Sequence, residues 1–241
     1  PTNPMLKILD IQSISEASKK IGSTLVVDNT FASSFVQTPL ELGADISLLS
    51  LTKYSNGHSD ALGGVVCCKD ESWGDKMVFA QKALGLQPSP FDCWLIQRSL
   101  KTLSVRMKAH NKNAFEIAQL LKNNPKISSI YYPGLSSHLN YSIAKEQQLD
   151  PHGNSVFGGM ISIDLGSLSA ARKFVKKLSI FTLAESLGGV ESLVCHPATM
   201  THASIPNEIR QQLGVTDGLV RLSIGIEDLD DLKEDIESAI K

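Results

Sequence analysis

Three short apolar runs, at residues 25–27, 46–51 and 63–68, are separated by stretches that carry helical spacing or turn residues. Ile11, Ile14 and Ile21 mark the first helical stretch, which Gly22 closes as a C-cap, and residues 39–42 form a second, shorter one. Strands that alternate with helices bury both faces of a sheet, so this order predicts an α/β fold built on a parallel sheet. Ligands of such sheets collect beyond the carboxyl ends of the strands. Asp28 ends the first run and the polar stretch 52–60 follows the second, so both stand where a site would form.

The pattern changes further along. Residues 92–123 read as one helix, with Leu95, Leu100, Leu103, Met107, Ala114, Ile117 and Leu121 on a shared face and Pro125 ending it. Its length predicts a connector between domains at 1–103 and 104–241. Beyond it, residues 127–132, 159–165 and 219–226 read as strands and 169–178 and 229–240 as helices, a second and smaller α/β lobe. Neither an internal repeat nor a low-complexity tract interrupts this order.

Charge narrows the partners. With 23 basic and 25 acidic residues the formal charge is -2, which gives no footprint for nucleic acid or an anionic membrane. A small molecule is the expected ligand. No apolar run reaches the length of a membrane span, and the first residues lack a signal-peptide pattern, so a cytoplasmic chain is expected. Pro1 stands where a start methionine would, and residues 1–4 resemble an internal loop, so an upstream portion is expected to be missing.

Metal and redox chemistry find little support. Cys67 and Cys68 are adjacent, which on a strand sends them to opposite faces, while Cys93 and Cys195 stand alone. His58, His110, His138, His152, His196 and His202 include no HExxH and no zinc spacing, and read as solvated or hydrogen-bonded surface residues. There is no GxGxxG and no GxxxxGK[ST].

The strand end at Ser50-Leu51-Thr52-Lys53-Tyr54 is different, because it sets two hydroxyls and an amine where lysine is unusual. An amine must lose its proton to attack an aldehyde carbon, and partial burial near other cations tunes it for that role. Ser50 and Thr52 alternate with Leu51 and could aim hydroxyls at a phosphate, although spacing alone favours ordinary strand-end hydrogen bonds. Asp28 reads equally as a partner for a pyridine nitrogen or as a turn residue before Asn29-Thr30. Arg221 lies inside the apolar run 219–224, where an unpaired guanidinium is costly. Its partner is either a substrate carboxylate or an acid of the chain itself, and the residues alone favour the internal ion pair. Residues 183–189 join a strand end, Glu185, Ser186 and two glycines that let backbone approach a ligand, or form a plain turn.

Together PTNP at 1–4, VVDNT at 26–30, LTKYSNGHSD at 51–60, LKTLSVRM at 100–107, LAESLGGVESL at 183–193, MTHA at 200–203 and RLSIGIED at 221–228 form one ordered series. It resembles the cystathionine γ-lyase and γ-synthase family of pyridoxal 5'-phosphate (PLP) enzymes, over nearly the whole chain. The resemblance implies a PLP-dependent transferase-like fold of the aspartate aminotransferase type. Residues 1–103 would be the C-terminal part of its large, mixed and mostly parallel PLP-binding domain, and 104–241 its small C-terminal α/β domain.

By the same resemblance Lys53 is the Schiff-base lysine, Asp28 faces the pyridine nitrogen, and Ser50, Thr52 and Thr30 bind the cofactor. Asn3, Ser186 and Arg221 hold the substrate carboxylate or its surroundings. Glu185 matches an acid of γ-acting members, where the β-lyase branch differs. Two departures stand out: Leu51 replaces a usually small residue, and the family's upstream part is absent, with its phosphate loop, the tyrosine stacked on PLP and groups lent to a neighbouring subunit. The implied activity is α,γ-elimination of cystathionine to cysteine, 2-oxobutanoate and ammonia, in a homotetramer. The alternatives are γ-replacement on an activated homoserine ester by cysteine, and an inactive fragment kept for binding or assembly.

Overall fold

The computed structural model describes residues 1–241. Helix α1 (Ile11–Lys20) starts where the Asp10 carboxylate accepts a 2.9 Å hydrogen bond from the Ser13 amide, and ends on Lys19 and Lys20, which complement the helix dipole. Its expected apolar face is only partly used: Ile11 is buried, but Ile14 is exposed and Ile21 lies at the C-cap in solvent.

The first sheet has the order β1 (Val26–Asp28), β2 (Ile46–Ser50) and β3 (Gly64–Cys68), with the short helix α2 (Ser33–Val36) between the first two strands. β1 and β2 are parallel and β3 runs antiparallel to β2, so the sheet that alternation alone reads as parallel is mixed, as the family resemblance implies. A parallel return needs a crossover, commonly a helix, and the chain between β2 and β3 instead folds back through a single π-helical turn, Leu51–Ser55. The helix expected at 39–42 is a set of turns, because Pro39 bars helical geometry at Thr38 and Gly43 leaves at φ +101°.

Helix α3 (Glu71–Leu84), capped by Asp70 and closed by Gly85 at φ 67°, buries no residue, which is why no apolar stripe marked it in the sequence. The single helix expected at 92–123 is two, α4 (Pro90–Leu100) and α5 (Leu103–Leu121). The Thr102 hydroxyl donates to the Ser99 carbonyl at 3.0 Å, a local bond that competes with helix continuation, and Leu100 faces solvent.

The second lobe holds β4 (Ser129–Tyr131), α6 (Tyr141–Gln147), β5 (Met160–Asp164), α7 (Leu168–Lys177), β6 (Thr182–Leu183), β7 (Leu193–Cys195), α8 (Asn207–Gln212), β8 (Leu219–Ser223) and α9 (Leu229–Ile240). Its sheet runs β4-β5-β8-β7-β6, antiparallel except for the β6–β7 pair. Ile117 and Leu121 of α5, Phe174 of α7 and Ile236 of α9 pack with Ile161, Ile163 and Leu222 of the sheet in one core. A separate cluster, with Leu6, Tyr54, Leu103, Met107, Met160 and Leu187, joins the lobes directly behind Lys53. No helix is long and apolar enough to cross a membrane.

Two histidines depart from the surface reading: His196 and His110 are buried. His110 Nδ1 lies 2.7 Å from the Ile224 carbonyl, so it carries the proton and donates. Burial is the main force that lowers this imidazole from 6.5 to about 4. In the unfolded chain it protonates near its ordinary value, so the unfolded state binds the extra proton as pH falls from 6.5 to about 4. Folding stability is therefore expected to fall across that window by up to about 3 kcal/mol from this group. Urea unfolding at a series of pH values checks this, and a His110→Phe variant should show a flatter dependence.

Candidate active site

β2 delivers Lys53. Past Ser50 the chain enters the π-helical turn, closed by the Asn56 amide on the Leu51 carbonyl at 2.9 Å, and π turns are frequent at functional sites. Lys53 itself has non-helical φ −92° and ψ −134°, and Tyr54 is anchored in the core behind it. The Lys53 amine donates to the Ser186 hydroxyl at 3.0 Å. Burial, then the charge of Arg221, lowers its pKa below that of a free lysine. Both effects favour the neutral, nucleophilic amine.

β8 delivers Arg221, which is 1% exposed. Its guanidinium donates to Asn3 Oδ1 at 2.8 Å, to the Glu185 carbonyl at 2.8 Å and to the Ser186 carbonyl at 3.2 Å, and its face lies 5.8 Å from the Phe31 ring centre. The internal ion pair favoured by the residues alone does not form, since the ion pairs of the chain are Arg210–Asp217 and Lys233–Glu116. Neutral acceptors take three of its five N–H donors, and Nε–H has none. A buried cation in this state is a ready receptor for an anion.

β1 ends at Asp28. One carboxylate oxygen accepts from the Thr30 amide at 2.9 Å, so the turn reading holds, but the other oxygen makes no bond within the chain. The Thr30 hydroxyl accepts from the Ser50 amide at 2.8 Å and so ties the ends of β1 and β2 together. The Ser50 hydroxyl is left without a partner, whereas that of Thr52 is engaged with Gly63, accepting from its amide at 3.1 Å.

Asn3, Asp28, Thr30, Ser50, Lys53, Glu185 and Arg221 line one cavity of about 700 Å³. Thr52 and Ser186 face a second, of about 950 Å³, which shares Lys53, Glu185 and Thr201 with the first. Of the nine residues read from the sequence, seven therefore share a cavity and two lie on its far side at the Lys53 boundary. Phe31, Gln37, Gln147 and Thr201 also line the first cavity; Phe31 follows one motif and Thr201 lies in another, while Gln37 and Gln147 carried no sequence signal.

The donor set fits an aldehyde cofactor with an anionic substituent: a partly buried amine, a carboxylate with a spare oxygen, a hydroxyl with no internal partner, and a cation for a substrate acid. That combination suits a lysine-linked aldehyde cofactor with a small anion beside it.

Residues 1–241 match the family described as Cys/Met metabolism PLP-dependent enzyme, and the chain belongs to that family. It is 49% identical over its whole length to a cystathionine beta-lyase of Lactococcus lactis subsp. cremoris, covering 62% of that protein, and 49% identical to a cystathionine gamma-lyase of Dictyostelium discoideum, covering 61%. The crystal structure of cystathionine gamma synthase from Xanthomonas oryzae pv. oryzae, in complex with cystathionine, superposes with a TM-score of 0.95 at 48% identity, over 100% of this chain and 61% of that one. The chain thus spans about three fifths of the length of these relatives, and its fold is that of fold-type-I PLP enzymes.

Proposed function

We propose that the full-length protein is a cystathionine γ-lyase, with residues 1–103 as the later part of its cofactor domain and 104–241 as its small domain. The observation that carries this is Arg221: a buried guanidinium, short of acceptors and free of any carboxylate, beside the Lys53 amine. It fits the α-carboxylate of an amino acid, and Asn3 and the Glu185 and Ser186 carbonyls fix its plane. PLP, when bound, supplies the electron sink for the pair left on Cα.

The chain's own groups do the rest. Asp28, with its spare oxygen, would keep a proton on the ring nitrogen, and the free Ser50 hydroxyl would hold the phosphate side, with Thr30 tying the Ser50 strand end in place and Thr52 approaching from the second cavity. Lys53 would anchor the cofactor through its amine and would be the group that moves the Cα proton. Ser186, 3.0 Å from that amine, orients it between the two cavities. Glu185 lines both cavities, where it would support chemistry at the γ-carbon.

A γ-synthase is the second reading, favoured by the 0.95 TM-score to a synthase bound to cystathionine. A homotetramer in the cytoplasm is proposed on the family resemblance. With cystathionine alone, the full-length protein is expected to release cysteine and 2-oxobutanoate together. Release of 2-oxobutanoate only when an activated homoserine ester is supplied would replace the lyase with the synthase, and pyruvate with homocysteine would mark a β-lyase.

A further inference from the structure

One buried cation has no part in the chemistry above. Arg106 of α5 is 4% exposed, no carboxylate reaches it, and its guanidinium is spent on three backbone carbonyls and one hydroxyl. Nη1 donates to the Tyr54 carbonyl at 2.6 Å, Nη2 to the Ser55 carbonyl at 3.2 Å and the Ser99 carbonyl at 3.0 Å, and Nε to the Thr102 hydroxyl at 3.1 Å. Two of those acceptors are the residues immediately after Lys53, and the other two form the α4–α5 break.

From this geometry we propose that Arg106 is a positioning residue for Lys53, holding the π-helical turn so that the amine points into the cavity. This rests on Lys53 being the cofactor lysine. A turn that departs from helical geometry at Lys53 leaves the Tyr54 and Ser55 carbonyls facing the interior, where no amide partner is available. A planar fork with several donors satisfies both at once and links them to a second element, which a single ammonium cannot do. Gly57 makes room: it sits at φ +72°, and a Cβ there would overlap Nη1. Its amide also returns to the Lys53 carbonyl at 2.7 Å, so the turn is held from both sides.

The test uses the full-length protein. With cofactor removed, the rate at which an amine-selective acylating reagent modifies Lys53 is followed against pH; with PLP restored, kcat and KM for cystathionine are measured. Arg106→Lys is expected to let the turn relax toward solvent, raising the labelling midpoint by about half a pH unit or more. Misplacing the amine should also lower kcat about tenfold while KM stays within about twofold.

A core variant away from the turn, Ile236→Val, supplies the comparison: it should lose thermal stability without moving the midpoint. Arg106→Lys with wild-type midpoint and kcat overturns the proposal, as does an equal midpoint shift in Ile236→Val. Should Arg106→Lys not fold, Thr102→Val, which removes the acceptor of Nε together with the hydroxyl's bond to the Ser99 carbonyl at the exposed end of α5, decides: a smaller upward shift supports the proposal and an unmoved midpoint overturns it. Borohydride reduction of the wild-type holoenzyme separates this from the reading it rests on. Without a wild-type adduct on Lys53 that reading fails; with one, an unmoved midpoint sinks the Arg106 proposal alone.

Discussion

Lys53→Ala in the full-length holoenzyme is expected to lose about 10⁴-fold in kcat, the upper end of what a positioned proton-transfer group contributes. Two proposed roles fall together, because the same amine would anchor the cofactor and move the Cα proton. The protein should still fold, since Lys53 is only partly buried and the core contact behind it is made by Tyr54. It should also still take up PLP, because Asp28, Ser50 and Thr30 remain, but the cofactor should leave on gel filtration where the wild type retains it. Exogenous small amines restoring part of the turnover would confirm that chemistry rather than folding was removed. Release of 2-oxobutanoate at near the wild-type rate would place the base elsewhere.

Arg221→Met carries the second large effect. Two charge-assisted hydrogen bonds to a carboxylate contribute about 1.5–3 kcal/mol each, so kcat/KM for cystathionine should fall by roughly 10²- to 10⁴-fold, most of it in KM. Arg221→Lys should rescue little, because one ammonium cannot reproduce the fork or reach Asn3 and the substrate together. A second consequence follows from charge. Arg221 contributes to lowering the Lys53 pKa, so removing it lets the amine hold its proton to higher pH. In the cofactor-free protein the pH midpoint for acylation of Lys53 should therefore move upward. A variant with unchanged KM would show that Arg221 serves only the loop at Glu185 and Ser186.

These residues differ in how plainly the sequence announced them. Lys53 and Asp28 stood at strand ends, where α/β sheets place ligands, and Arg221 was a charge inside an apolar strand; each is an anomaly against its neighbours. The choice between an internal acid and an external anion for Arg221 was closed to sequence, because it depends on which groups the fold brings within reach, and those proved to be carbonyls and Asn3. Thr52 was read beside Ser50 by alternation, yet the π-helical turn breaks that alternation and sends it to the second cavity.

Arg106 was present in the LKTLSVRM motif without a role. Its signal was a cation three residues after Leu103 and four before His110, on the buried face of a helix. The α4–α5 break was hidden for a related reason, since Thr102 and Arg106 create it through contacts with Ser99 that no periodicity shows. Alternation places β3 in a parallel sheet, but the compact turn after Lys53 reverses its direction.

The most direct test of the account is to reduce the full-length PLP-loaded protein with borohydride and map the modified peptide by mass. The account predicts one pyridoxyl adduct per chain, on Lys53, with loss of the visible absorption. An adduct confined to another lysine, or none in a protein that has bound PLP, would contradict it.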